Sequence, residues 1–318
     1  MRFAWIGFHA EGLPALEALL DAGAPIAGVF TLDPALAGAR STSAAYTEVC
    51  DRFGVPLLFI SGINEPRSLE ALERLNVDVA FVLGWPQTVR QAALRIPRLG
   101  MIGSHPGLLP RYRGSAPVHW AMIRGEEQAG NTLLWLADRP LAGDIIDQTA
   151  FPITPYDTST EVFSEVAHSN RDMLLRLLPR LLAGERPGVP QPSVDGPALL
   201  PRRRAADGRV RWSRSSRAIY DFIRALTHPY PGAFSRIDGR SWRIWKAALP
   251  PPGLTTADRT PGEVMGPVVS PVSEACGELV ACGDGSLILL EVEAEDGTLL
   301  RGQALSEQQW TGKRFDDD

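Results

Sequence analysis

Through residue 186, short apolar runs alternate with stretches whose apolar positions recur every three or four residues. That is the pattern of strands joined by crossover helices. Arg2–Gly7, Ile26–Thr31, Leu57–Ile60 and Val77–Leu83 are predicted strands, and Leu13–Ala22, Thr42–Phe53 and Ser68–Leu75 are predicted helices. After a proline-interrupted segment, Gly100–His105 predicts a further strand, Ala116–Arg124 a helix, and Asn131–Leu136 with Asp144–Ile153 a strand pair. A long amphipathic helix over Ser159–Ala183 closes the unit, with Val162, Val166, Met173, Leu174, Leu177 and Leu181 at roughly helical spacing. The alternation predicts an α/β domain with a Rossmann-like open parallel sheet, a fold that takes ligands beyond the carboxyl ends of its strands.

The pattern then changes. Gly184–Pro201 contains Pro187, Pro190, Pro192, Pro197 and Pro201, which marks a linker. Beyond it, Ser215–Leu226 predicts one helix, and Phe234–Ile237, Ser241–Ala247, Gly262–Gly266, Glu278–Ala281, Ser286–Val292 and Thr298–Gly302 predict short strands. Asp238–Gly239 and Asp284–Gly285 are hairpin-turn signals. The expected organisation is an N-terminal domain over 1–186, a linker over 187–201, and a small β-barrel (OB-like) domain over 202–318.

Composition narrows the class. Of 318 residues, 44% are hydrophobic and 22% charged, enough apolar surface for a packed core. No run approaches the roughly 18 apolar residues of a membrane span, and Met1–Gly7 lacks the pattern of a secretory leader. Cys50, Cys276 and Cys282 are odd in number and lack CxxC spacing, which argues against a disulfide scaffold or zinc knuckle. A soluble, cytoplasmic protein without membrane partners is expected. The net charge of -5 argues against a surface built for phosphate backbones. Arg202, Arg203, Arg204, Arg209, Arg211, Arg214 and Arg217 crowd one segment, read as a solvated linker and an exposed hairpin.

Most chemical signatures are missing. Gly7–Gly12 is a strand-to-helix turn but neither a P-loop nor GxGxxG. No GxSxG, HExxH or metal-spaced histidine pair occurs, so no metal is expected; His119 and His168 read as packing or surface residues. The informative stretch is Gly100–Pro117, GMIGSHPGLLPRYRGSAP. Strand alternation turns positions 103 and 105 toward one face at the mouth of the sheet.

This stretch resembles the signature of the folate-dependent formyltransferases, N-x-H-x-S-L-L-P followed by R-G-x-A-P. The resemblance extends over nearly the whole chain, through MRFAWIGFHAEGLPALEALLDAG, AGNTLLWLADRPLAGDIIDQTAFPITPYDTS, and the later DGRVRW, AIYDFIRALTHPYPGAF and ACGDGSLILLEV. It implies the formyltransferase fold and an amine attacking the formyl carbon of 10-formyltetrahydrofolate. In the family, an Asn and a His stabilise the oxyanion or shuttle protons, and an Asp tunes the His and takes the amine's proton. Matched position by position, the His is His105, the Asn position is Gly103 and the Asp position is Leu141. Asp144 and Asp138, three residues to either side of Leu141, are the candidates for a displaced carboxylate, with Asp144 preferred. A water beside Gly103 is the candidate substitute for the missing amide. The implied folate contacts are Gln87, Thr88 and Val89, with Ala137, Asp138, Arg139, Pro140 and Leu141 opposite, and Trp85 as an aromatic wall.

The resemblance therefore implies formyl transfer to an amine on a small molecule, such as a nucleotide-linked amino sugar or an amino acid. The tRNA branch carries a Lys/Arg-rich loop where Asp33–Tyr46 offers only Arg40, so tRNA is not the expected acceptor. A homodimer is the candidate assembly. The replacements at 103 and 141 keep open a diverged member that runs other chemistry or only binds a ligand. Nucleic-acid binding rests on the arginine cluster alone.

Overall fold

The computed structural model describes residues 1–37, 42–192, 199–251 and 259–317. Arg40 and the 193–198 part of the expected linker lie outside the described residues. The chain forms two compact units: Met1–Pro117 with Gln128–Pro152 and Phe163–Leu200, and Val118–Glu127 with Ile153–Val162 and Pro201–Asp318.

In the first unit the strands are β1 (Phe3–Gly7), β2 (Ile26–Leu32), β3 (Leu57–Ile60), β4 (Val79–Leu83), β5 (Gly100–His105), β6 (Gln128–Trp135) and β7 (Ile145–Pro152). They make one sheet in the order β3-β2-β1-β4-β5-β6-β7. The pairings β1–β2, β2–β3, β1–β4 and β4–β5 are parallel, as the alternation predicts. The β5–β6 and β6–β7 pairings are antiparallel, so the sheet is mixed. For β6–β7 the reason is local: the nine-residue connection over 136–144 is too short for a crossover, and only antiparallel neighbours can be joined that way.

The helices are α1 (Leu13–Asp21), α2 (Pro34–Ala37), α3 (Ser43–Phe53), α4 (Pro66–Leu75), α5 (Gln91–Leu94), α6 (Pro117–Ile123) and α7 (Ser159–Leu182). Of these, α7 belongs to this unit from Phe163 on, while α6 belongs from Val118 on to the second unit. One face of the sheet presents Phe3, Trp5, Phe81, Ile102, Leu133 and Trp135 to apolar residues of α1, α3 and α7. The opposite face presents Ala4, Ile6, Val82 and Met101 to Leu72 of α4 and Ala93 of α5. This alternation matters for the site. Ile102 belongs to the first face and Met101 to the second, so Gly103 and His105 follow Met101 onto the α4/α5 side.

The second unit holds α8 (Ser216–Leu226), α9 (Gln303–Ser306) and strands β8 (Ala233–Ile237), β9 (Arg240–Ala248), β10 (Val264–Val268), β11 (Gly277–Ala281), β12 (Ser286–Ala294) and β13 (Leu299–Arg301). Its antiparallel sheet runs β10-β11-β12-β9-β8, with β13 on β12. Ser215 caps α8 by accepting from the Ala218 N–H at 3.2 Å. Trp212 stacks on Phe315 with centroids 5.2 Å apart, and Trp310 meets that ring edge-on at 5.6 Å. His119 is buried edge-on against Tyr230 at 4.1 Å, a packing position. No helix among the described residues is long and apolar enough to cross a membrane.

Candidate active site

His105 ends β5 and is buried. The loop that follows folds back over the ring: His105 Nε2 lies 2.8 Å from the Tyr112 carbonyl, so the Nε2–H donates and the neutral imidazole keeps its lone pair on Nδ1. The loop is pinned from the sheet. Thr132, opposite His105 on β6, donates its hydroxyl to the Gly107 carbonyl at 2.6 Å and accepts from the Leu109 N–H at 3.1 Å. Gln148, opposite Thr132 on β7, donates to Thr132 Oγ1 at 2.9 Å and to the Leu109 carbonyl at 2.8 Å. Gly107 permits this approach, because a Cβ there would stand 3.2 Å from His105 Nε2. Burial pushes the imidazole pKa down; the Tyr112 carbonyl works against that, and the Arg113 guanidinium lowers it further. An Asp beside the ring would act in the opposite direction.

Arg113, the arginine of the R-G-x-A-P match, was given no role by the sequence reading; it links the loops. Its Nη2 donates to the Leu141 carbonyl and to Gln191 Oε1, each at 3.2 Å. Gln191 donates in turn to the Leu141 and Gly143 carbonyls at 2.9 and 2.7 Å. Leu141 sits at φ +59°, a left-handed conformation that Asp tolerates better than Leu. The residue is thus gripped by its backbone carbonyl in a conformation its own side chain does not favour.

The two candidate folate segments come together. Gln91, at the start of α5, donates to Asp138 Oδ2 at 2.7 Å, tying the 137–141 loop to the turn that carries Gln87, Thr88 and Val89. That turn is fixed by Gln87 donating to the Ser61 carbonyl at 3.1 Å and by Asn64 donating to the Thr88 carbonyl at 2.8 Å. Asp138, exposed on the 137–141 loop, accepts the Gln91 bond at one of its two carboxylate oxygens. Ala137, Arg139 and Pro140 are exposed on the same loop.

Two substitutes considered for the missing groups are not supplied. Asp144 is not brought to His105: its carbonyl accepts from the Trp135 N–H at 3.0 Å, which sets it beside Ile102, whereas His105 aligns with Thr132 and Gln148. Four residues of strand separate Asp144 from Gln148, on the order of 13 Å. Its carboxylate faces Arg186 at 3.8 Å, and Arg186 in turn lies over the Trp135 ring. The space beside Gly103 is not left to water either, because a Cβ there would meet Leu136 Cδ2 at 2.6 Å. Leu136 fills it.

Glu11 was also missed. It follows β1 in the turn to α1, where its Cγ comes within 3.2 Å of a Cβ built on Gly84, just past β4. Its side chain is part-buried, yet protein crowds the carboxyl and raises its pKa from 4.5 to about 7. Tyr46, buried and donating to the His9 carbonyl at 3.3 Å, shares this turn. Because the folded-state pKa is raised, Glu11 costs stability above the unfolded pKa of 4.5, and the cost is full above about 7. Glu11→Gln is expected to stabilise the protein by about 2–3 kcal/mol at pH 8 and to leave it unchanged at pH 4, measured by thermal melts. Equal stabilisation at both pH values would refute the assignment.

Among the described residues, no group of His, Cys, Asp and Glu is arranged to hold a metal. The family model for formyl transferase matches residues 16–178, and that for the formyl transferase C-terminal domain matches residues 203–309. The chain is similar to HypX from Aquifex aeolicus, solved in complex with tetrahydrofolic acid, with TM-score 0.66 and 19% identity over 95% of this chain and 46% of that one. It is similar to the N-formyltransferase from Helicobacter canadensis, solved with folinic acid and dTDP-3-aminofucose, with TM-score 0.62 and 16% identity over 90% and 98%. Methionyl-tRNA formyltransferase from Clostridium thermocellum gives TM-score 0.58 and 16% identity over 79% and 94%. The chain spans about half the length of the HypX chains it matches. At these identities the solved structures speak for the fold, while the two family models between them run through both halves of the sequence: the chain belongs to the formyltransferase family.

Proposed function

We propose that the first unit binds a reduced folate carrying a formyl group, 10-formyltetrahydrofolate, and transfers that group to an amine of a small molecule. One observation carries this reading: a neutral imidazole, locked by Tyr112 with Nδ1 as its lone-pair nitrogen, ends β5 in a sheet whose neighbouring loops are tied together through Gln91 and Asp138. The residues fit a folate. Trp85 Nε1 and Arg113 Nε are buried donors without partners, and a pterin with its formyl oxygen offers acceptors. The solved relatives bound to tetrahydrofolic acid and folinic acid support the same ligand class. The donor, when bound, supplies the formyl carbon.

The chain's own contribution differs from the family pattern. With burial and then Arg113 disfavouring its charged form, His105 stays neutral, so Nδ1 serves as the proton acceptor for the attacking amine. Arg113, whose Nε is unengaged, offers a fixed positive charge for the developing oxyanion. The test is to incubate the full chain with 10-formyltetrahydrofolate and a panel of small amines, including nucleotide-linked amino sugars, and to follow tetrahydrofolate release. Turnover above background with one amine is expected; none with any would sink the reading.

A second reading, in which the site has lost formyl transfer, draws on Leu136 lying over Gly103 and on Leu141 in the Asp position. Restoring the family's groups requires Gly103→Asn and Leu141→Asp together with Leu136→Ala to clear the space. Activity that appears only in this triple variant would favour the second reading.

A further inference from the structure

The arginine cluster of the second unit is not simply a solvated stretch. Arg203, Arg209, Arg211 and Arg214 line one cavity of about 620 Å³, within the range typical of small-ligand sites. Its apolar wall includes Trp120 and Phe222, and its one lining carboxylate is Asp207. That carboxylate is already engaged, accepting from the Arg204 N–H at 2.6 Å, while Arg203 donates to the Asp207 carbonyl at 2.7 Å.

The neighbouring arginines show the contrast. Arg217 and Arg224 each donate to Asp221 at 2.8 Å. Among the described residues, no ion pair engages Arg209, Arg211 or Arg214, and Arg209 Nε is buried with no hydrogen-bond partner. Gathering like charges around a concavity without counter-charges is unfavourable unless an anion joins them. Guanidinium groups match phosphate oxygens with paired N–H donors, and desolvated aromatic rings match a planar heterocycle. Arg203 lies over Trp120 at 5.1 Å and over Phe222 at 5.5 Å, and Arg124 over Trp120 at 5.8 Å, so a base entering on this side would stack on the Arg203 guanidinium or displace it from the rings.

We propose that this cavity binds a nucleoside diphosphate, its phosphates on Arg209, Arg211 and Arg214 and its base on the Trp120–Phe222 side. A half-open concavity of this size with an apolar wall suits a small molecule, whereas an RNA strand would need a basic groove that continues along the backbone.

Titration calorimetry of the full chain with ADP, UDP, inorganic pyrophosphate and a short single-stranded RNA tests this. ADP or UDP is expected to bind one to one, at least about tenfold more tightly than pyrophosphate. Arg211→Gln with Arg214→Gln, both exposed side chains whose replacement leaves the core intact, is expected to weaken that binding about tenfold or more. His105→Asn is expected to leave it unchanged, which separates this site from the folate crevice. Trp120→Phe should remove the ligand-induced change in tryptophan fluorescence, and circular dichroism checks that each variant is folded. Four results would each overturn the proposal: no saturable nucleotide binding, pyrophosphate binding as tightly as nucleotide, displacement of nucleotide by RNA with steep salt dependence, or nucleotide binding lost in the His105 variant and kept in the arginine pair.

Discussion

Replacing His105 by Asn is expected to slow tetrahydrofolate release by between about 100- and 10,000-fold, the range for losing general acid–base help. The ring is buried, and Asp144, the carboxylate preferred from the sequence, is set beside Ile102 by strand register and faces Arg186. Asn keeps a donor for the Tyr112 carbonyl but has no nitrogen lone pair to take a proton. The effect should fall on kcat, with the folate KM changing little, because the candidate folate loops are anchored by Gln91, Asn64 and Gln87 independently of the ring. The pH profile provides a second readout. Burial and Arg113 hold the imidazole below its ordinary value of 6.5, so activity should persist as pH falls through 6.5 and be lost only on further acidification. A loss below about tenfold, or a profile that breaks above pH 6.5, would show that His105 is not the proton acceptor.

The largest stability effect is expected at Asp221 in the second unit. Its carboxylate is buried between Arg217 and Arg224, and Arg224 is buried as well, donating also to the Thr154 and Asp157 carbonyls at 3.0 and 2.6 Å. Asp221→Ala leaves the Arg224 charge buried without its counter-ion, a change that costs about 3–5 kcal/mol. Urea unfolding should show the loss in midpoint without a change in slope. Asp221→Asn, which keeps an acceptor and loses the charge, should fall between. Arg217→Ala should cost far less, because that side chain is half-exposed and its pair is screened by water. A cost for Asp221→Ala no larger than for Arg217→Ala would refute the account.

How much of this was legible in the sequence varies element by element. The five parallel strands and the long helix followed directly from the spacing of apolar residues, because a strand or helix must turn one face to the core. The helices α2, α5 and α9 were not seen; four residues are too few for a period to show. The antiparallel turn at β6 was visible only as a strand pair, since periodicity says nothing about strand direction. His105 and the loop behind it were identified from their resemblance to a family signature, and so were the departures at Gly103 and Leu141. Arg113 stands in the R-G-x-A-P signature, but the pattern gave it no role, and Leu136 carried no signal. An arginine in a loop and a leucine after a strand are ordinary, and what makes them matter is which atoms they meet across the sheet.

The sequence by itself determined the fold class, the family, and the absence of the Asn and Asp side chains from their places. Those are properties of residue type and order. It did not determine how the compact units divide, since Val118–Glu127 and Ile153–Val162 group with Pro201–Asp318. Only the tertiary structure decided that Asp144 serves Arg186 rather than His105, that Leu136 fills the space beside Gly103, and that the arginines line a cavity. Distance in a folded chain is set by register and packing, and a few residues of slippage along a strand move a carboxylate by more than the length of any hydrogen bond.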